Sequence, residues 1–333
     1  GIAELKRALN EKLIAVLLTE PGYLGTISDL PVLIEAAHAV DVPVILDAAW
    51  GGHFGFHPDL PRHAFQVGAD ALITSTHKAL PGYSASALLL ARTTLLSAER
   101  LEQSFETTHT TSPAGAPLAS IDGVRALLET RGEELIGSLL NNIHRFKEMV
   151  QAEFALPIFL YPSDFPAGRF DPSKIVLRVQ QLGASGVEIE QDLQAKGIRV
   201  EMADRDTIVF LATIADSQAD FDSLADALIP ILKKRQEQRR ESATALSWSV
   251  VPQRAASMRD AYFAETEMVS AESAVGRISA DLIAPYPPGV AVVAPGELLT
   301  QQIVEGLSAS RAAGVRIAYA TDSTLNSYRV VIR

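Results

Sequence analysis

The sequence predicts an α/β protein with a mostly parallel sheet, followed by a smaller α+β domain. Three observations carry that prediction. Short apolar runs alternate with helical stretches near the N-terminus, a long helical repeat follows from about Ser120, and strand runs return after a Pro-rich stretch at 161–174. Alternation of the first kind is the mark of βαβ units, whose ligands sit at the carboxyl ends of the strands.

The first runs are LIAVLL (13–18), VPVILD ending at Asp47, ADALITS (69–75) and SALLLA (86–91). Runs apolar on both alternating positions suit strands buried on both faces. Between the first two, a helix is expected from about Leu30 to Val40, with Ser28 and Asp29 as candidate caps. Ile136, Leu140, Ile143, Phe146, Val150 and Phe154 then recur at three- and four-residue spacing, which predicts one long amphipathic helix joining two domains, 1–150 and 151–333. In the second, KIVLRV, GIRVEM and TIVFLAT read as strands. Ser185 with Glu188 reads as a capping box for a helix stopping at Gly197. The basic run KKRQEQRR (233–240) follows an apolar helix pattern in an acidic chain, so it reads as a solvated helix end. Beyond it, APYPPGVAVVAPGE (284–297) forces turns, and a helix and the edge strand YRVVIR complete the chain.

Composition bounds the function. With 333 residues, 47% of them apolar, the chain buries a large core. Its formal net charge of -11 repels nucleic acid and anionic lipid and favours small cationic ligands. There is no cysteine, which removes disulfides, thiolate nucleophiles and thiolate metal sites. No apolar stretch reaches membrane-span length and the start carries no signal-peptide pattern, so a cytoplasmic location is the expectation. The chain does not begin with Met.

Two residues at strand ends raise a chemical question. Lys78, in ITSTHKAL (73–80), is either a solvated terminus or a reactive amine, and a lysine becomes nucleophilic when burial or neighbouring cations disfavour its proton. Asp47 ends a buried run and needs a cationic or hydrogen-bonding partner, or else caps a helix. Pyridoxal phosphate would account for both, the lysine forming its Schiff base and the carboxylate pairing with its ring nitrogen. The hydroxyls of Ser75 and Thr76 are candidates for the phosphate. His53, His57 and His63 could suggest a metal, but their spacing matches no zinc pattern.

Taken together, LLTEPGYLGTISDL, VPVILDAAWGGHFGFHPDLP, GADALITSTHKALPGYSASALLL, THTTSPAGAPLASIDG and GRISADLIAPYPPGVAVVAPGE stand in an order and spacing that resemble the ornithine/lysine/arginine decarboxylase family of fold-type-I pyridoxal-phosphate enzymes. The resemblance runs over essentially the whole chain. It implies that Lys78 is the Schiff-base lysine, that Asp47 pairs with the pyridinium nitrogen and that Ala49 packs beneath the ring. It also implies that Trp50 lies near the phenolic oxygen, that Ser75 and His77 contact the phosphate and Schiff-base sides, and that Thr110 reaches the phosphate of a neighbouring subunit. His77 or Lys78 would then be the proton donor. The implied activity is decarboxylation of arginine, lysine or ornithine to an amine and carbon dioxide, in a homodimer or higher oligomer.

Three departures qualify the match. Ala85 stands where the family often has glutamine, Ala48 where it often has Glu or Ser, and the sequence given starts where a complete member would be midway through its large domain. The resemblance therefore implies a partial large domain, completed by an N-terminal segment or a second chain. The alternative readings are a catalytically silent or regulatory subunit of the same fold, and a pyridoxal-phosphate aminotransferase or lyase of another type.

Overall fold

A computed structural model describes residues 1–9, 13–109, 112, 114–239, 250–286 and 289–332. The chain forms two compact units. The first comprises Gly1–Leu177 with Val209–Ile229, the second Arg178–Ile208 with Pro230–Arg333.

The first unit is built on a four-stranded sheet in the order β1 (Val16–Thr19), β2 (Val44–Asp47), β3 (Ala71–Ser75) and β4 (Ala87–Ala91). The β1–β2 and β2–β3 pairs are parallel and β3–β4 is antiparallel, so the sheet is mostly parallel as the alternation predicts. Helix α1 (Ile2–Ala8) precedes β1, and α2 (Leu30–His38) makes the crossover from β1 to β2. Pro31 in its first turn supplies a backbone already set for a helix, and Leu30, Leu33, Ile34 and Ala37 fall on one buried stripe. Neither predicted cap bonds the helix through its side chain. The Ser28 N–H donates to the Glu20 carboxylate, and the Asp29 carboxylate pairs with Arg169.

Register divides the sheet into two faces. Leu18, Leu46, Leu72 and Leu90 align across the four strands on one face. Leu46 and Leu72 are 1% exposed, and each such burial contributes about 2 kcal/mol before the entropy of ordering. This face packs against α2, whose Leu30, Ile34 and Ala37 join its core cluster. The opposite face, with Leu17 (68% exposed), Ile73 and Leu89, is open among the described residues. Burial on both faces, expected from the runs, is thus realised among the described residues on one only, the side on which α2 packs.

After α3 (Ala98–Thr108), α4 runs over Gly115–Gln151, 37 residues. It buries Val124, Leu128, Ile136, Leu139, Ile143, Phe146 and Val150, so the predicted amphipathic face is present, while Phe154 lies beyond its end. The helix lies wholly within the first unit. The remaining elements are β5 (Ile175–Arg178), α5 (Gly186–Gln194), β6 (Met202–Ala203), β7 (Thr207–Phe210) and α6 (Gln218–Arg235). Strands β5, β7 and β6 form a sheet in that order. The Ser185 side chain makes no capping bond to α5, and the Glu188 carboxylate, the other half of the expected box, pairs with Arg235 instead. Arg235 also pairs with Asp192 at 2.8 Å, which makes the start of the basic run an ion-paired helix end.

The second unit continues with α7 (Met258–Phe263), β8 (Thr266–Ser270), α8 (Ala271–Ala274), β9 (Ala284–Tyr286), α9 (Gln301–Ala312), β10 (Arg316–Ala318) and β11 (Ser327–Val331). Strand β11, the predicted last strand, pairs antiparallel with β8, and β10 with β9. Ile283, Val293, Leu299, Ile303, Leu307, Tyr328 and Val330 form its core. No helix among the described residues is long and apolar enough to cross a membrane.

Candidate active site

The site lies at the carboxyl ends of β2 and β3 in the first unit. Asp47 closes β2 and sits opposite Ile73 of β3, and the Ala48 N–H continues the ladder to the Ile73 carbonyl at 2.7 Å. Alternation along the strands places Asp47 and Ser75 on the open face. Asp47 accepts a hydrogen bond from the Ala49 N–H at 3.1 Å, an Asx turn that fixes one carboxylate oxygen and leaves the other without a hydrogen-bond partner among the described residues. Its backbone carbonyl accepts from the Glu20 N–H at 2.9 Å. Burial pushes the Glu20 carboxyl up from its ordinary range despite its bonds from Ser28.

The turn after β2 carries Ala49, Trp50 and two glycines. At Gly52 an added Cβ would stand 2.9 Å from the Ser75 carbonyl oxygen and 3.1 Å from Thr74 Oγ1, so only glycine lets this turn lie against the end of β3. The Trp50 indole is 9% exposed and meets Tyr23 edge-on, centroids 5.6 Å apart. Lys78 places its Nζ 5.1 Å from the Trp50 centroid and forms no ion pair among the described residues. The structure therefore brings Lys78 and Trp50 together, from turns after neighbouring strands.

His77 Nδ1 lies 2.8 Å from the Ser86 carbonyl. A carbonyl only accepts, so Nδ1 carries the hydrogen, and Nε2 is the nitrogen left without a partner among the described residues. The Ser75 hydroxyl is likewise unengaged among the described residues. Thr76 differs: it is 4% exposed and donates to Ser86, so its hydroxyl is spent inside the fold. Thr110 lies outside the described residues.

The three clustered histidines each do separate work. His57 Nδ1 accepts the Asp59 N–H at 3.1 Å and His63 Nδ1 accepts the Phe65 N–H at 3.2 Å, both capping turns. His53 is 2% exposed and bonds Ser173 Oγ through Nε2 at 3.0 Å. Ser173 donates in turn to Asp171, which is fully buried. Lys174 continues this cluster, with its Nζ 3.6 Å from the Trp50 centroid. Sequence reasoning missed Asp171, Ser173 and Lys174. The available signal was a pair of opposite charges, in RFDPSKIVL, placed directly before a run apolar enough to be buried.

A cavity of 280 Å³ lies on the covered face of the sheet, lined by Leu46, Leu72, Leu88, Leu90, Val124 and Leu128 among others. Asp47, Trp50, His77 and Lys78 do not line it. Its wall also carries Glu20, Arg62, His63 and Arg125 and reaches Ser75, but neither the lysine nor the aspartate of the strand ends, so the strand ends make the better candidate.

Comparison with known proteins follows the same residues. A family profile described as Orn/Lys/Arg decarboxylase, major domain, matches residues 2–163, and one described as Orn/Lys/Arg decarboxylase, C-terminal domain, matches 236–317. The arginine decarboxylase of Bacillus subtilis (strain 168) is 34% identical over 335 aligned residues, which take in 98% of this chain and 68% of that protein. Among solved structures, lysine decarboxylase A from Pseudomonas aeruginosa superposes with a TM-score of 0.78 at 17% identity, over 99% of this chain and 60% of that one. The constitutive lysine decarboxylase of E. coli gives 0.75 at 20%, over 97% and 58%. The chain thus spans less than two thirds of the length of these two structures.

Proposed function

The chain belongs to the Orn/Lys/Arg decarboxylase family, pyridoxal-phosphate-dependent amino-acid decarboxylases of fold type I, and from that premise we propose that it carries the lysine-bearing part of a decarboxylase acting on a basic amino acid. Arginine is the first substrate to test, because the relative aligned over nearly the whole chain is named an arginine decarboxylase.

The observation that carries the reading is that Lys78, whose amine forms no ion pair among the described residues, and Asp47, whose carboxylate is half engaged, follow and close the adjacent parallel strands β3 and β2. These groups fit pyridoxal phosphate by their chemistry. Lys78 is an amine for the aldehyde, Asp47 an anion for the ring nitrogen, Ser75 a donor for the phosphate and Trp50 an apolar wall beside Lys78. Ala49, with its short side chain, leaves room for the ring. Thr110 completes the set by resemblance. When bound, the cofactor withdraws electrons from the substrate α-carbon, so that the carboxylate leaves as carbon dioxide.

The chain's own residues supply the rest. Asp47 provides a fixed negative charge whose second oxygen, without a hydrogen-bond partner among the described residues, would pair with the ring nitrogen, and its removal should raise the barrier by about 3 kcal/mol, as for other preorganised charge partners. The bond from His77 Nδ1 to Ser86 holds one tautomer, which leaves Nε2 to receive or deliver a proton. The Lys78 amine, beside the Trp50 indole, would be the second group able to hold or deliver a proton at the α-carbon.

The same proposal divides the chain functionally into 1–150, carrying the cofactor residues, and 151–333, the smaller domain. The major-domain match over 2–163 and the C-terminal match over 236–317 support it. It also includes assembly as a homodimer or higher oligomer, completed by an N-terminal segment or separate chain.

The test is the visible absorbance band of the purified protein given pyridoxal phosphate, together with carbon dioxide release from arginine, lysine and ornithine assayed separately. We expect the band in the wild type, its loss in Lys78→Ala, and release from one of the three substrates. A band that survives Lys78→Ala would remove Lys78 from the role.

A further inference from the structure

Lys174 is a second lysine at the same indole, and it is buried. Only 4% of it is exposed, and its stem packs so closely on Gly25 that a Cβ there would stand 2.7 Å from Lys174 Cγ. The turn that delivers it is tightly specified. Asp171 Oδ1 accepts from the Ser173 N–H at 2.9 Å and from Ser173 Oγ at 2.7 Å, while the Asp171 N–H donates to the Gly25 carbonyl at 2.8 Å. Because the Ser173 hydroxyl donates to Asp171, it accepts from His53, which therefore carries its hydrogen on Nε2.

This cluster leaves two buried atoms without hydrogen-bond partners among the described residues, Asp171 Oδ2 and His53 Nδ1. A fully buried carboxylate with a free oxygen requires a positive charge nearby. Burial alone would push the Asp171 carboxyl up, but His53, Lys174 and Ser173 together outweigh it and hold it below its ordinary value. The geometry at the indole adds an independent observation. Lys174 Nζ stands 3.6 Å and Lys78 Nζ 5.1 Å from one ring centroid. The two amines are therefore less than about 9 Å apart, a separation comparable to the Debye length, and inside a largely buried site where screening is weaker still. Both distances are in the range of cation–π attraction, and Lys174 makes the closer contact.

We propose that Lys174 is a positioning residue of the site: its buried ammonium seats the Trp50 indole and places a second positive charge beside the Lys78 amine, with Asp171 limiting that charge. The inference rests on the reading of Lys78 as the cofactor lysine. Other titratable groups on the elements around the ring are Asp47 and His77 from the strand ends, Tyr23 from the turn after β1, His53, and Lys147 of α4, whose Nζ donates to the Lys174 carbonyl at 2.7 Å. None of these reverses the sign of the effect. Losing the Lys174 charge favours protonation at the Lys78 nitrogen, and losing the Asp171 charge disfavours it.

The experiment follows the pH midpoint of the visible band in the purified protein loaded with pyridoxal phosphate, with circular dichroism to confirm folding. Lys174→Met should raise the midpoint by about half a unit to one and a half units, the size of one charge at this range. Lys174→Arg should hold it near the wild-type value, and Asp171→Asn should lower it. Opposite shifts from the two charge deletions are an outcome that mere loss of packing does not produce. Should Lys174→Met fail to fold, Lys174→Gln keeps a polar end in the same place and carries the test with Asp171→Asn. Folded variants whose midpoints stay put, or move in the same direction, overturn the proposal. A band that persists in Lys78→Ala overturns instead the reading beneath it.

Discussion

Gly52 shows how much of the site depends on one missing side chain. The turn after β2 lies so close to β3 that a methyl group would stand 2.9 Å from the Ser75 carbonyl oxygen, and that atom belongs to a strand end that cannot yield without moving Thr76, His77 and Lys78. Gly52→Ala is therefore expected to destabilise the fold by about 1–3 kcal/mol, as overpacking does, and to weaken pyridoxal phosphate binding more than a surface change would. Urea denaturation and a cofactor titration measure the two effects, and an alanine variant with wild-type values in both would mean that the turn has slack. The close approach was legible at this scale, because two glycines after a strand that ends in Asp announce a tight turn. The placement of Asp47 and Lys78 at strand ends was legible too, since a charge at the end of an apolar run is conspicuous. The cluster of His53, Asp171, Ser173 and Lys174 was not. Its members are brought together across 120 positions, from His53 to Ser173, and no local pattern encodes that meeting.

Helix α4 carries the element-scale counterpart, a charge buried on an apolar stripe. Lys147 is 2% exposed, next to Phe146, and donates to the Leu160 and Lys174 carbonyls at 3.1 and 2.7 Å. Burial, only partly offset by Asp171 and Asp164, brings its ammonium down from 10.5 to about 8. The folded state therefore binds fewer protons than the unfolded chain between about pH 8 and the unfolded value. Stability should rise with pH across that window and be lower by about 3 kcal/mol once pH falls below it. Lys147→Met should abolish the rise, and chemical denaturation at pH 7.5 and at about pH 10 reads the difference. A slope that persists in the variant would assign it to other groups. The three- and four-residue spacing predicted this helix because its buried face repeats with the helical period. It could not reveal Lys147, whose burial depends on carbonyls from a later segment. The same reason explains strand β8, whose run of mixed polarity becomes a strand only by pairing with β11.

For the whole molecule, the decisive feature is a sheet with one face open among the described residues. Parallel strands are stable when both faces and both edges are covered, yet β1 and β4 are the outer strands here and Leu17, Ile73 and Leu89 line the uncovered side. The apolar runs foretold this demand for cover, and composition could not say what meets it. A net charge of -11 keeps such chains apart at long range, but screening at physiological salt confines that repulsion to about 8 Å, so apolar faces that meet can still pair. The 333-residue chain expressed by itself is accordingly expected to self-associate and to bind a hydrophobic dye. Leu17→Lys combined with Leu89→Lys should reduce both without changing the circular dichroism, because each substitution falls at an exposed position, where costs stay within about 0.5 kcal/mol. Sedimentation velocity at two protein concentrations distinguishes the outcomes. If the double variant associates as the wild type does, the open face is not the contact surface, and assembly must be sought on another part of the molecule. If it becomes monomeric while keeping its fold, covering that face is what the proposed oligomer or N-terminal segment contributes to stability.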